Sequence, residues 1–152
     1  MSLKAYSVER IGNDPVFVFE SVNPKTGLRI FKIVTFSQIK KGEELYFNLG
    51  FGDFDEKTGK VNDRIVSDNG DMRKVLATAV STLDTFFNEQ PDVKVHVTGS
   101  DRVRNKYYQK LVKDYLAEIQ DKYTIQGFKD NKIEDFQSKS EYEFLLVSLK
   151  KV

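Results

Sequence analysis

The sequence contains no cysteine and no tryptophan, only three prolines and a single histidine. Without cysteine the chain forms no disulfide, offers no thiolate ligand for zinc and no cysteine nucleophile, and suits a reducing compartment. It also lacks a run of about 18 apolar residues, and its beginning, MSLKAYSVER, lacks the apolar core of a signal peptide. We therefore expect a cytoplasmic protein with no membrane-spanning segment.

What the sequence does have is a composition typical of a folded domain. Hydrophobic residues make up 39% of the 152 residues and charged residues 31%, and there are 12 phenylalanines and 7 tyrosines. This aromatic content is too high for a disordered chain. The length suits one hydrophobic core, so we predict a single domain over residues 1–152.

The first 67 residues have the pattern of antiparallel strands. Apolar residues alternate, or nearly alternate, with polar ones over five segments, at 3–11, 15–22, 28–37, 44–52 and 61–67. Between them lie turns rich in glycine, proline and asparagine, such as Asn23-Pro24-Lys25-Thr26-Gly27. The pattern predicts a meander of four or five strands.

From residue 71 onward the spacing of apolar residues changes from two to three and four. This spacing predicts a helix at about 71–89 and, after a strand at 93–98, a second helix that runs to about 122. Strands at 124–129 and 142–149 follow, with a polar loop between them that has room for a short hairpin. The predicted fold class is α+β, an antiparallel β-meander followed by α-β-α-β-β with two helices packed on a mixed sheet, and strand 93–98 in a buried interior position.

Each predicted helix begins at a glycine-containing turn followed by cations. Unpaired backbone N–H groups and the helix dipole favour an anion at such a start, so a phosphate or carboxylate could bind there if the two starts converge. Ordinary helix capping with surface cations explains the same residues. The residues of the two predicted anion sites are Asn69, Gly70 and Arg73 at the first helix, and Gly99, Ser100, Arg102 and Arg104 at the second.

The order of elements from residue 44 to 149 resembles the C-terminal part of Gcn5-related N-acetyltransferases. In that family a turn of the form Gln/Arg-x-x-Gly-x-Gly/Ala holds the pyrophosphate of acetyl-CoA. The matching turn here is Asp68-Asn69-Gly70-Asp71-Met72-Arg73, which lacks the leading Gln or Arg and the second small residue. The resemblance implies acyl-CoA as a cofactor and acyl transfer as the reaction, with Tyr107 or Tyr108 as general acid.

The chain also resembles small uncharacterised bacterial proteins that have a GS-D-x-x-R strand-to-helix junction. That likeness implies no activity. The sequence holds no complete catalytic motif, so whether the protein is an enzyme stays open.

Two further features have both a functional and a structural interpretation. His96 could act as a general base, or it is simply a half-buried or surface histidine; a lone histidine without cysteine does not predict a metal site. Gly50 and Gly52 interrupt one strand, which indicates a bulge, a close packing contact or a ligand lying across the strand.

Charge is divided into two blocks. Residues 43–56 hold five acidic residues and no lysine or arginine, whereas residues 94–113 hold six basic residues and one acidic residue. Such blocks are solvated faces, or they meet each other within the fold, or the protein is an interaction module or a homodimer that uses the complementary blocks. The basic helix interleaves its cations with Tyr107 and Tyr108, as in proteins that bind single-stranded nucleic acid, but the net charge of +1 and the lack of a nucleic-acid-binding motif argue against that partner.

Overall fold

A computed structural model describes residues 4–55, 57–62, 70–98 and 102–150, with the backbone alone at 41, 60–62, 103, 104 and 107. Strands and helices alternate in the second half of the chain, and the described elements are β1 (Glu9–Arg10), β2 (Val16–Val22), β3 (Arg29–Lys41), β4 (Glu44–Asp55), β5 (Lys60–Asn62), α1 (Met72–Glu89), β6 (Lys94–Val97), α2 (Arg102–Asp114), α3 (Leu116–Gln120), β7 (Tyr123–Lys129), β8 (Lys132–Asp135) and β9 (Phe144–Leu149). The strands form a mixed sheet, so the predicted α+β class is confirmed.

The chain divides into two compact units. Unit 1 consists of Met1–Ser37 and Gly50–Glu89, and unit 2 consists of Gln38–Leu49 and Gln90–Val152. Strands β3 and β4 each contribute residues to both units. The single domain expected from the length stays a prediction.

The β2–β3 hairpin of unit 1 follows from its turn residues. The side-chain oxygen of Asn23 accepts hydrogen bonds from the backbone N–H groups of Lys25 and Thr26, and Gly27 takes a positive φ of 74°. These contacts close the turn so that Val22 pairs with Arg29 and the two strands run antiparallel. The predicted meander is confirmed for β2 and β3, whereas only Glu9–Arg10 of the first predicted strand, 3–11, is a strand in the described residues. Residues 63–67 of the last predicted strand lie outside the described residues.

The core of unit 1 is aromatic and lies between the β2–β3 hairpin and α1. The ring of Phe36 stacks on Phe86 of α1 with centroids 4.3 Å apart and meets Phe17 edge to face at 6.2 Å. All three side chains are buried. Helix α1 therefore presents the apolar stripe predicted from its three- and four-residue spacing.

A close packing contact explains Gly50 in β4. A Cβ atom at this position would lie 2.6 Å from the side-chain oxygen of Thr35 on β3. A side chain at this position would have to displace that hydroxyl, so glycine suits the close approach of the two strands. At Gly50 the space left by the missing side chain is filled by a neighbouring residue.

The strands of unit 2 are arranged in the order β4-β6-β9-β7-β8. Strand β6 runs parallel to β4 and antiparallel to β9, which in turn pairs antiparallel with β7. Val95 of β6 is completely buried. The prediction that this strand occupies an interior position is therefore confirmed.

Two details of unit 2 differ from or extend the predicted pattern. The second helix does not run unbroken to residue 122, because Tyr115 leaves the helical region (φ −117°, ψ 22°) and separates α2 from α3. The apolar spacing continues across this break, so periodicity alone predicted one helix. The polar loop after β7 does contain a hairpin, in which Asp130 and Asn131 both take positive φ before β8.

Candidate functional site

A cavity of about 630 Å³ opens in unit 2 at the start of α2. We refer to it as the α2 pocket. Three parts of the chain line it: Thr98, Arg102 and Asn105 at the start of α2, Lys129, Asp130 and Asn131 at the β7–β8 turn, and the segment Glu141–Glu143 before β9. The volume lies within the range of small-molecule sites in proteins.

Two amide side chains on one face of α2 hold the segment 141–143 in place. Asn105 donates from Nδ2 to the backbone oxygens of Tyr142 and Glu143, at 2.9 and 3.0 Å. One turn later, Gln109 donates from Nε2 to the oxygen of Tyr142 at 2.7 Å and accepts a hydrogen bond from its N–H at 2.9 Å. These four hydrogen bonds hold the backbone of this wall in place along α2.

Tyr142 anchors the same wall by packing against β7. Its side chain is almost fully buried, and a Cβ atom at Gly127 of β7 would overlap its ring. The phenol oxygen accepts a hydrogen bond from the N–H of Gln137 at 2.9 Å and donates to the oxygen of Asp135 at 3.4 Å. The glycine in β7 is therefore required by the tyrosine that packs over it.

The charges around the α2 pocket are unevenly paired. Arg102 donates from Nε to Glu141 at 3.3 Å, and Lys106 approaches the other oxygen of Glu141 at 3.9 Å. On the opposite side Lys129 donates to the hydroxyl of Ser140 at 2.9 Å and faces Glu134 at 3.5 Å. The carboxylates of Asp130 and Glu143, by contrast, have no ion pair with any described residue.

Arg102 is the one residue of the anion site predicted at the second helix whose side chain the structure places. It lies in the first turn of α2, lines the pocket and is 78% exposed. Gly99 and Ser100 lie outside the described residues, and so does the side chain of Arg104.

The start of α1 has a different environment. Asp71, the residue before this helix, accepts hydrogen bonds at one carboxylate oxygen from the hydroxyls of Tyr6 (2.5 Å) and Ser21 (2.6 Å). Its other oxygen is buried and has no hydrogen-bond partner among the residues that the structure describes. Of the residues predicted to bind an anion here, Gly70 has a φ of 76° beside Asn23, Arg73 is exposed, and Asn69 lies outside the described residues.

Tyr6 ties the N-terminal segment to α1. Its N–H donates to the hydroxyl of Thr78 at 2.8 Å, and the ammonium of Lys74 lies 4.2 Å above its ring. Burial raises the pKa of the Tyr6 phenol above its ordinary value of 10.0, and the hydrogen bond to Asp71 raises it further. The Tyr6 phenol therefore stays protonated at pH values where an exposed tyrosine ionises.

Two of the residues considered for catalysis, His96 and Tyr108, do not belong to the described lining of the α2 pocket. His96 of β6 is half-buried, with Nδ1 3.3 Å from the side-chain oxygen of Asn48 and its ring 4.1 Å from Phe144. Tyr108 is half-buried as well, and the side chain of Tyr107 lies outside the described residues. Within the described ranges no three histidine or acidic side chains are grouped as a metal site would require.

With this geometry in place, comparison with known families gives one result. The chain belongs to a family of unknown function (DUF6934), whose model matches residues 2–150. No curated protein and no solved structure matches the chain. The likeness to acetyltransferases therefore rests on the order of elements alone, and acyl-CoA stays a prediction.

The fold also bears on the expected absence of a membrane-spanning segment. Among the residues that the structure describes, no helix combines the length and the apolar character needed to cross a bilayer.

Several residues that build the α2 pocket went unrecognised in the sequence. Asn105, Gln109 and Tyr142 act through contacts between residues more than 30 positions apart, which leave no local pattern. Two local signals were present. A glycine inside the strand YTIQGFK indicates a close approach, and the dipeptide Asp130-Asn131 is typical of a tight hairpin turn.

Proposed function

We propose that the protein binds a small charged molecule in the α2 pocket. The observation that carries this proposal is a cavity of about 630 Å³ at a helix start, with a wall held in place by Asn105 and Gln109. A pre-formed cavity with a few convergent polar groups is the usual form of a ligand site. The exposed guanidinium of Arg102 and the helix dipole supply an attraction for an anionic group of the ligand.

The pocket supports binding more directly than it supports catalysis. Its lining holds no histidine, and its one tyrosine, Tyr142, directs its hydroxyl to the backbone of Asp135 and Gln137. The other titratable side chains of the lining are Lys129, Asp130, Glu141 and Glu143, and none of them defines a particular reaction. We therefore propose a binding role and assign no catalytic group.

The proposal is tested by a ligand titration followed by amide chemical shifts. Isotope-labelled protein is titrated with a fixed set of charged probes: acetate, inorganic phosphate, ethylamine, aminobutanoate and coenzyme A. We expect at least one probe to shift the amides of residues 98, 102, 105, 129–131 and 141–143 in a saturable manner. The coenzyme A arm also tests the resemblance to acetyltransferases.

A matched pair of variants provides the control. Arg102→Gln removes the cation in the pocket, whereas Lys110→Gln removes a cation of α2 that is paired with Asp114 outside the pocket. Saturable shifts that Arg102→Gln weakens and Lys110→Gln leaves alone support the proposal. If no probe shifts the pocket amides, or if both variants behave alike, the proposal is wrong.

A further inference from the structure

We infer that the molecule taken by the α2 pocket is a zwitterion, with an oxyanion at one end and an ammonium at the other. This inference rests on the proposed function and concerns the same cavity. It follows from the ion pairs in the lining. These leave Arg102 available as a cationic group and Asp130 and Glu143 available as anionic groups.

The cationic side of the pocket is the first turn of α2. Among the described side chains here, Glu141 faces two cations, Arg102 and Lys106, so the three together carry one positive charge. Arg102 contacts Glu141 through Nε, and its two terminal NH2 groups make no hydrogen bond to the described residues. A guanidinium with both terminal groups available is suited to bind a carboxylate or a phosphate in a two-point contact.

The anionic side is formed by Asp130 at the β7–β8 turn and by Glu143. Neither carboxylate has an ion pair among the described residues, and the nearby ammonium of Lys129 is held by Ser140 and Glu134. An anion that entered the pocket would meet these two carboxylates, whereas an ammonium group would be attracted to them.

The arrangement of charges in the lining disfavours ligands that carry only one sign of charge. A ligand with only negative charge gains from Arg102 but is repelled by Asp130 and Glu143. A ligand with only positive charge gains from Asp130 and Glu143 but is repelled by Arg102. A metal ion would need three or more acidic or imidazole ligands grouped together, and the described residues provide no such group. A compact molecule that carries both charges satisfies both sides at once.

The backbone between the two sides is anchored to α2. The backbone oxygen of Glu143 accepts hydrogen bonds from Asn105 (3.0 Å) and from the hydroxyl of Thr98 (3.3 Å). These bonds set where the Glu143 side chain begins relative to α2.

The test uses a series of ω-amino carboxylates, from glycine to aminohexanoate. Each is compared with the carboxylic acid and with the amine of the same chain length, by titration of the pocket amides. We expect one member of the series to bind at least about tenfold more tightly than either of its singly charged analogues, because it gains one additional charge-assisted contact. The best chain length reports the distance between the two charged sides.

Charge-removing variants assign each end of the ligand. Arg102→Gln is expected to reduce the affinity for the best zwitterion to about that of the matching amine, and Glu143→Gln to about that of the matching acid. Glu118→Gln on α3, a carboxylate outside the pocket, is the matched control and leaves affinity unchanged.

The outcomes separate this inference from the proposed function. If acids or amines bind the pocket as tightly as the zwitterions, the pocket is a ligand site and the zwitterion inference is overturned. If no zwitterion, acid or amine shifts the pocket amides, both are overturned. A preference for zwitterions that neither Arg102→Gln nor Glu143→Gln changes would overturn the assignment of the two ends.

Discussion

The starts of α1 and α2 carry similar residues in sequence but have different surroundings in the structure. At α1 the carboxylate of Asp71 is enclosed by the hydroxyls of Tyr6 and Ser21, which belong to distant segments of unit 1. At α2 the side chain of Arg102 is exposed and lines a cavity. The same local signal therefore lies beside an enclosed carboxylate in one unit and beside an exposed cation that lines a cavity in the other.

The difference extends to how each unit uses charge. Unit 1 contains the fully buried ammonium of Lys32, which lies 2.7 Å from the carboxylate of Asp53. The carboxylates beside the α2 pocket are exposed, and two of them have no ion pair among the described residues. Buried charges must be paired for the protein to fold, whereas exposed charges remain available to a ligand.

The largest effect is expected from the buried pair in unit 1. Asp53→Ala removes the carboxylate that faces the completely buried ammonium of Lys32, and we expect a loss of about 3–5 kcal/mol in the free energy of unfolding. Urea denaturation measures this change. Replacing both partners, as Lys32→Met with Asp53→Leu, should recover most of the loss because no buried charge is left.

Asp92→Ala, at an exposed position after α1, is the control and should change stability little. A small effect of Asp53→Ala, or no recovery in the double variant, would contradict the assignment of this pair as a closed structural contact.

A second, smaller effect is expected in the wall of the α2 pocket. Gly127→Ala places a Cβ atom where the ring of Tyr142 lies, and overpacking of this kind costs about 1–3 kcal/mol. The same substitution in a Tyr142→Ala background should cost less, since the ring is gone. Denaturation of the four proteins in this cycle measures the coupling, and equal costs in both backgrounds would refute the packing contact.

The network at α1 predicts a dependence on alkaline pH. Because the pKa of Tyr6 is raised in the folded protein, the unfolded chain loses its phenol proton first as the pH rises through 10.0, and the folded state loses stability above that pH. Tyr6→Phe should cost about 1–2 kcal/mol at neutral pH through the lost hydrogen bond and should reduce the alkaline loss. Stability measured from neutral pH to above pH 10 tests both.

Tyr46 is a second tyrosine whose ionisation should lower stability at alkaline pH. Its pKa is also raised, by its hydrogen bond to Glu44 and by burial, so Tyr46→Phe should reduce the alkaline loss as well. If Tyr6→Phe leaves the slope of stability against pH unchanged, the closed network at the start of α1 is not maintained in solution.

The smallest effect on stability is expected at the α2 pocket itself. Arg102→Gln changes a side chain that is 78% exposed and paired with a carboxylate that is half exposed, so the free energy of unfolding should change by less than about 0.5 kcal/mol. Denaturation beside the ligand titrations checks this. A large loss of stability would indicate that Arg102 is structural.

Local sequence patterns predicted the framework of this fold well. The turn at Asn23–Gly27 and the apolar stripe of α1 are each determined by residues close together in the chain. The break at Tyr115 was missed because the apolar spacing continues through it. Periodicity reports which face is buried, and it does not report where one helix ends and the next begins.

The site could be predicted only in part. Arg102 was identified because a cation after a strand–glycine junction has a local pattern. The pairing of Tyr6 with Asp71, of Lys32 with Asp53 and of Gln109 with Tyr142 joins residues that are 21 or more positions apart. Such contacts depend on the strand order, which no local pattern specifies, so sequence reasoning could not show that the carboxylate of Asp71 is enclosed and that Arg102 lines a cavity.

The most direct test of this account compares two arginines that occupy corresponding places. Arg73 lies in the first turn of α1 and Arg102 in the first turn of α2, and both are exposed. The affinity of the probe that binds most tightly in the amide titration is measured for Arg73→Gln and Arg102→Gln. The account predicts that Arg102→Gln weakens binding about tenfold and that Arg73→Gln has no effect, whereas an equal loss in both variants, or a loss confined to Arg73→Gln, would contradict it.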